Sequence, residues 1–191
     1  TEVVLVWTTD AQLAVAAGDG ARAGAGYLRG LVVARASPLA WLAAAVRTAR
    51  ADQLIDLDPP RAHDDARFAQ RTLDALGIGN GLFAARARRA RACAALASHE
   101  PLVARALVEP LLTGEVEGLG ANRFERVRPL LVSASASLAL GDRATAGHRA
   151  HDAALLAEEI GARFHQVRAL LLRASAEPTR HAGDVRAARH L

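Results

Sequence analysis

The segment GDGARAG at residues 18–24 decides the architecture of this chain, because it recurs further along the sequence. It returns as GDRATAG at residues 141–147, and its Gly-Asp start returns once more as GDVRAA at residues 183–188. The first two copies are separated by three periods of about 41 residues, and the third follows one period later. The large aromatic residues keep the same spacing, at Trp41, Phe83, Phe124 and Phe164. A fixed period of this length predicts an array of structural repeats.

The sequence between these marks has a helical pattern, because apolar residues recur there at steps of three and four. The two clearest stripes are Phe124, Val127, Leu130, Leu131, Ala134 and Leu138, and Phe164, Val167, Leu170, Leu171 and Ala174. Gly77 and Gly161 fit the left-handed position at a helix C-terminus, and Gly141-Asp142 offers such a cap followed by a helix-starting acid. Each period is therefore predicted to be a helical hairpin. The predicted helices lie near residues 1–17, 20–36, 38–57, 61–76, 81–98, 101–118, 122–140, 143–160 and 162–176, with another starting at 184.

A hairpin of two alanine-faced helices cannot bury its apolar stripe alone, so neighbouring hairpins must stack to form the core. The prediction is an all-α solenoid of about four and a half hairpins, which forms a single domain over residues 1–191. We expect Phe124 and Phe164 to be buried anchors between hairpins. Pro59-Pro60 should mark a turn, and Pro110 should kink or split its helix, which we interpret as a packing adjustment. Because the sequence opens in mid-pattern without Met, we also expect it to be a piece of a longer multi-domain protein.

The composition excludes several classes of protein. Of the 191 residues, 51% are hydrophobic but only 4% are aromatic, which favours closely packed helices over sheets. All 24 Lys and Arg residues are Arg, so a phosphate loop or Schiff-base chemistry that needs lysine is excluded. The net charge of +4 is weak support for nucleic-acid binding, because Ala-plus-Arg richness without Lys is also typical of GC-rich genomes. A lone Cys93 favours a reducing cytoplasm, and no apolar run approaches the roughly 18 residues of a membrane span.

The final repeats resemble a known family. Residues 138–142 (LALGD), 153–161 (AALLAEEIG), 163–164 (RF) and 167–171 (VRALL) resemble tetratricopeptide-like repeats. More narrowly, they resemble the helical-repeat sensor region of large ATP-binding LuxR-type bacterial transcription regulators, the MalT-like family. The resemblance covers about residues 120–191. It extends to the earlier part of the chain only because that part shares the internal repeat period.

This resemblance implies a right-handed superhelix that takes up a small effector or a partner protein and controls assembly of a larger regulator. The implied partners also include neighbouring domains of the same chain and a homo-oligomer. The period is longer than the roughly 34 residues of standard tetratricopeptide repeats, so armadillo- or HEAT-like stacking is the alternative. The ATPase and DNA-reading helix-turn-helix of the family have no counterpart in these residues.

Arg128 and Arg168 are the candidate binding residues. Each follows the repeat aromatic by one turn, on the first helix of a hairpin, which lines the concave side in tetratricopeptide-like stacks. Two guanidinium groups there could receive the carboxylate of an acidic ligand or partner. The alternative, which the residues alone favour, is a structural ladder of ion pairs with carboxylates such as Glu125 or Glu158.

The other reactive side chains have plainer interpretations. His148 and His151 are expected to be solvated, Cys93 to be a small buried hydrophobe, and Asp64 and Asp65 to serve helix capping. The run of four arginines at Arg86, Arg88, Arg89 and Arg91 suits phosphate, but an exposed or ion-paired face is favoured.

We therefore predict a non-enzymatic protein with no catalytic residue, metal or cofactor and no membrane or direct nucleic-acid contact. It would act as a sensor or protein-interaction segment of a bacterial transcription regulator. Two other classes are a free-standing tetratricopeptide-like scaffold protein and, with less support, an RNA-binding solenoid. The RNA-binding class requires base-contacting polar residues at fixed repeat positions, and the sequence offers none.

Overall fold

The computed structural model describes residues 2–114, 122–177 and 188–189. Within these ranges the regular structure is entirely helical, so the predicted all-α class is confirmed. The helices are α1 (Glu2–Ala16), α2 (Gly20–Ala36), α3 (Ala40–Leu54), α4 (Pro59–Ala75), α5 (Leu82–Ala97), α6 (Pro101–Leu112), α7 (Arg123–Ala139), α8 (Arg143–Glu159) and α9 (Arg163–Ala176). The helix expected from residue 184 lies outside the described residues, apart from positions 188–189.

The chain divides into two compact units, Thr1–Ala97 and Ser98–Leu191. In the first unit each helix from α1 to α5 packs against the next, and α3 also contacts α1 and α5. In the second unit α6 packs on α7, α7 on α8 and α8 on α9, and α7 also contacts α9. Contacts between successive helices and between alternate helices are typical of stacked hairpins, so a solenoid-like arrangement is confirmed within each unit.

The first two repeated Gly-Asp pairs end one helix and cap the next, as predicted. Gly18 and Gly141 have φ values of 76° and 79°, a left-handed conformation that glycine adopts without steric cost. The carboxylate of the following Asp then accepts a hydrogen bond from a backbone N–H in the first turn of the next helix. The distances are 2.9 Å from Arg22 N to Asp19 and 3.1 Å from Thr145 N to Asp142. The third pair, at residues 183–184, lies outside the described residues.

Small side chains form much of the core, which lets the helices approach closely. The contact between α1 and α2 is tight at Gly26, where an added Cβ would lie only 2.9 Å from Cβ of Ala11. The core of the second unit contains larger side chains as well, with Val127, Leu131 and Leu170 buried among alanines.

The repeat aromatics are not buried anchors, so that prediction is wrong. Phe124 is 51% exposed and Phe164 is 69% exposed. Each is the second residue of its helix, and helical side chains lean toward the N-terminus, so the rings project beyond the first turn. Trp41 and Phe83 occupy the same positions on α3 and α5, with ring centroids 5.5 Å apart. The repeat aromatics therefore lie at the N-terminal ends of their helices.

Prolines set two helix boundaries. Pro59 and Pro60 occupy the first turn of α4, where a missing N–H costs little, and Asp58 caps that helix. Pro110 lies inside α6, which was expected to reach residue 118 with a kink or split. The helix ends at Leu112, two residues after the proline. Residues 115–118 of the predicted range lie outside the described residues, so a split in this segment stays a prediction.

Candidate functional site

The starts of α7 and α9 carry both predicted binding residues and two exposed phenylalanines. We call this surface the α7/α9 face and define it by Phe124 and Arg128 of α7 and by Phe164, His165 and Arg168 of α9. The imidazole of His165 contacts both phenyl rings, with centroid distances of 5.6 Å to Phe124 and 5.7 Å to Phe164. These contacts join the two helices into one aromatic surface, and more than half of each phenylalanine is open to solvent.

Local sequence explains why the rings meet. The side chain of Asn122 caps α7 by accepting a hydrogen bond from the backbone N–H of Glu125 at 3.2 Å. Gly161, with a φ of 70°, ends α8 and lets α9 begin at Arg163. Phe124 and Phe164 then take the same register on two helices that pack against each other.

Arg128 and Arg168, the predicted binding residues, each lie one helical turn beyond a phenylalanine and on the same side of the helix. Arg128 is half-buried and Arg168 is exposed. The suggested ladder partner Glu158 forms no ion pair with Arg168 within the described part of the chain. The structure therefore places an aromatic ring and a guanidinium group in succession on both helices. Their role in binding stays a prediction.

An open cavity of about 320 Å³ lies elsewhere in the same unit, between α6, α7 and α8. Its lining includes Leu112, Arg126, Leu130, Arg149, Asp152 and Glu159, but neither Arg128 nor Arg168. Arg149 bonds Glu109 at 3.4 Å, and Glu159 forms an ion pair with Arg123. Arg149 and Glu159 of the cavity lining therefore already have partners of opposite charge.

The histidines do not form a metal site in the described residues. His148 and His151 are exposed, as predicted. Nδ1 of His151 lies 2.7 Å from Nη1 of Arg173, and a guanidinium donor at that nitrogen opposes a metal ion. Cys93 is half-buried on α5.

The capping role expected for Asp65 is wrong. Asp58 caps α4, whereas Asp65 is 2% exposed and accepts hydrogen bonds from Nε and Nη2 of Arg50 at 2.6 and 2.7 Å. Arg47 adds a third bond at 2.9 Å, and its guanidinium lies 4.0 Å from the ring centre of Phe68. Sequence inspection missed this pairing because both arginines are on α3, in the preceding helix.

The four arginines of α5 also divide into different environments. Arg89 is 2% exposed and donates to Asp52 at 2.7 Å, so it is a buried structural residue. Arg86 lies 5.9 Å from the ring centre of Phe83. Arg91 lies near Arg67 and Arg71 of α4 and near Arg88 of its own helix.

Comparison of the chain with protein-family models, curated proteins and solved structures finds no match. No described helix is both long enough and apolar enough to cross a bilayer. Fold and surface together define an all-α protein with solenoid-like helical packing. The resemblance to MalT-like regulators stays a prediction.

Proposed function

We propose that this chain is a non-enzymatic helical-repeat segment that binds a partner protein through the α7/α9 face. The observation that carries the proposal is the pair of exposed phenylalanines, Phe124 and Phe164, joined through His165 and each followed by an arginine one turn later. Aromatic residues and Arg are enriched at protein interfaces and at the positions that contribute most to binding. Exposed rings of this size also leave apolar area that a partner can bury.

The chemistry of the face defines the partner. Two phenyl rings at the helix starts favour apolar side chains, whereas Arg128 and Arg168 favour carboxylates, which a guanidinium binds through two parallel hydrogen bonds. The two helix axes should lie about 8–10 Å apart, so one peptide segment can reach both. The expected partner therefore presents an apolar group followed by acidic residues.

The wider setting rests on the resemblance of residues 138–171 to the sensor repeats of MalT-like regulators. On that basis the chain belongs to a cytoplasmic bacterial transcription regulator, in which partner binding controls assembly with neighbouring domains or further copies. A free-standing scaffold protein would use the same face. A small effector is the second candidate, and the cavity lined by Arg126 and Arg149 favours it.

The experiment selects peptides from a phage-displayed random library on the 191-residue chain and measures their binding by titration calorimetry. We expect selected peptides to combine apolar and acidic residues. A Phe164→Ala/Arg168→Ala variant should weaken binding at least about tenfold, because it removes one aromatic and one charged contact.

The matched control is Leu102→Ala/Arg143→Ala, which removes one exposed apolar residue and one exposed arginine from α6 and α8. It should bind the peptides as the wild type does, and circular dichroism should show unchanged helix in both variants. Peptides that bind wild type and Phe164→Ala/Arg168→Ala equally well would place the binding surface elsewhere.

A further inference from the structure

A second charged surface lies in the first unit, on the hairpin of α4 and α5. It consists of Arg67 and Arg71 on α4 and Arg88 and Arg91 on α5, and we call it the α4/α5 arginine cluster. A hydrogen bond of 2.6 Å from Nη1 of Arg91 to Oε1 of Gln70 fixes the two helices in register there. Arg67 and Arg71 lie one turn apart on either side of Gln70, so their side chains start about 5–6 Å from each other.

Several arginines of this unit have a carboxylate partner, and the members of the cluster are not among them. Arg22 pairs with Asp10, Arg50 with Asp65 and Arg89 with Asp52. Among the residues that the structure describes, no carboxylate forms an ion pair with any member of the cluster.

The positive charges of the cluster change the pKa of Arg91. Burial lowers the pKa of Arg91, and the charges of Arg67, Arg71 and Arg88 lower this pKa further. Asp74 is the carboxylate whose charge opposes these effects. An added Cβ at Gly79 would clash with Oδ1 of Asp74, so this carboxylate faces the loop after α4. Nε of Arg91 is buried without a hydrogen-bond partner. Arginine stays protonated in proteins, so the four guanidinium groups repel one another.

We propose that the α4/α5 arginine cluster binds a small oligophosphate, such as an inorganic triphosphate or the triphosphate of a nucleotide. Several guanidinium groups on two neighbouring helices suit a ligand with several charges on adjacent phosphates, because each planar fork can bond two phosphate oxygens. A single carboxylate would leave most of the positive charge unbalanced. A nucleic acid backbone needs contacts spread along the duplex, whereas this cluster spans about one helical turn on each of two helices.

The test is calorimetric titration of the 191-residue chain with inorganic triphosphate, ATP and a duplex DNA oligonucleotide at about physiological ionic strength, where weak surface attraction is screened. The wild type should bind inorganic triphosphate at one site. The Arg67→Gln/Arg71→Gln variant should bind at least about tenfold more weakly, since it removes two of the cluster's cations. The control is Arg35→Gln/Arg61→Gln, which lowers the net charge equally at exposed positions outside the cluster and should bind like the wild type.

Equal affinity for triphosphate and ATP would identify the phosphate chain alone as the ligand, and tighter ATP binding would identify a nucleotide. Either result supports the proposal. It is overturned if triphosphate does not bind, if the control variant loses as much affinity as Arg67→Gln/Arg71→Gln, or if DNA binds more tightly than triphosphate through the same arginines.

Discussion

At the residue scale, the buried carboxylate of Asp65 holds α3 and α4 together through Arg47 and Arg50. Removing it leaves these guanidinium groups without their counter-ion in a largely buried place. We expect Asp65→Ala to lower the free energy of unfolding by about 3–5 kcal/mol, measured by chemical denaturation. The control is the exposed neighbour Asp64, for which Asp64→Ala should change stability by no more than about 0.5 kcal/mol. Equal effects of the two variants would contradict the structural role of Asp65.

The cap at Asp142 predicts a pH dependence. The hydrogen bond from the backbone N–H of Thr145 lowers the pKa of Asp142 below its ordinary value of 3.8. The folded state thus favours the ionised carboxylate, and its stabilisation is present above pH 3.8 and lost as the pH falls through the lowered pKa. We expect Asp142→Ala to melt at a lower temperature than the wild type at neutral pH, with the difference shrinking below pH 3.8.

Asp56→Ala, at an exposed acid in the turn after α3, is the control for that experiment, and its melting temperature should follow the wild type at every pH. A difference for Asp142→Ala that stays constant down to strongly acid pH would show that the carboxylate does not act through its charge.

Sequence reasoning succeeded for residues whose partners are nearby in the chain. Asp19 and Asp142 each accept a hydrogen bond from the backbone N–H three residues later in the chain, so a short motif contains the whole interaction. It failed for Asp65 and Arg89, which pair with Arg50 and Asp52 on a different helix. Such pairs depend on the rotation and register of two packed helices, which the hydrophobic period sets only coarsely.

At the scale of single elements, α9 carries one exposed and one buried apolar residue whose contributions to stability should differ. Phe164 is largely exposed, so Phe164→Ala should lower the free energy of unfolding by less than about 1 kcal/mol. Leu170, on the same helix, is buried against Val127 and Leu131, and Leu170→Ala should cost about 2–5 kcal/mol. Denaturant titration of the two variants measures the difference. A large loss for Phe164→Ala would instead support the buried anchor that the aromatic spacing predicted.

Two glycines on α2 form a matched pair. Gly26 faces α1, and an added Cβ would lie 2.9 Å from Cβ of Ala11, so Gly26→Ala should destabilise the protein by about 1–3 kcal/mol. Gly24 has no atom within 4 Å of that position, so Gly24→Ala should stabilise by about 0.5–1 kcal/mol through helix propensity. Thermal melting of the two variants should therefore shift in opposite directions. A stabilising Gly26→Ala would show that α1 and α2 do not pack this closely.

The helices themselves were predicted well, because periodicity and capping residues are local signals. For α6 the end at Leu112 comes earlier than predicted, because Pro110 weakens the helix without defining where it stops. The predicted burial of Phe124 and Phe164 was also wrong. Their regular spacing identifies equivalent sites, whereas burial depends on how far each lies from the helix end.

At the scale of the whole molecule, the repeat period predicted the all-α class and the packing between successive and alternate helices. It placed Arg128 and Arg168 at equivalent positions, but the contribution of His165 to the α7/α9 face emerged only from the structure. Sequence analysis identified Arg88 and Arg91 of the α4/α5 arginine cluster but not Arg67 and Arg71. The members of the cluster lie in two separated segments, and only helix pairing distinguishes them from the buried Arg89 nearby.

The protein as a whole carries a net charge of +4, which attracts acidic peptides wherever they bind. The variant Arg128→Lys/Arg168→Lys distinguishes a specific site from this general attraction, because it keeps the net charge but removes the planar guanidinium groups. We expect this variant to bind the selected acidic peptides about tenfold more weakly than the wild type, because Lys offers a point charge instead of two parallel hydrogen bonds. Arg105→Gln/Arg143→Gln, which lowers the net charge by two away from the face, should bind nearly as the wild type does at physiological salt. Calorimetric titration measures all three proteins, and a lysine variant that binds like the wild type would show that charge alone, without guanidinium geometry, accounts for recognition.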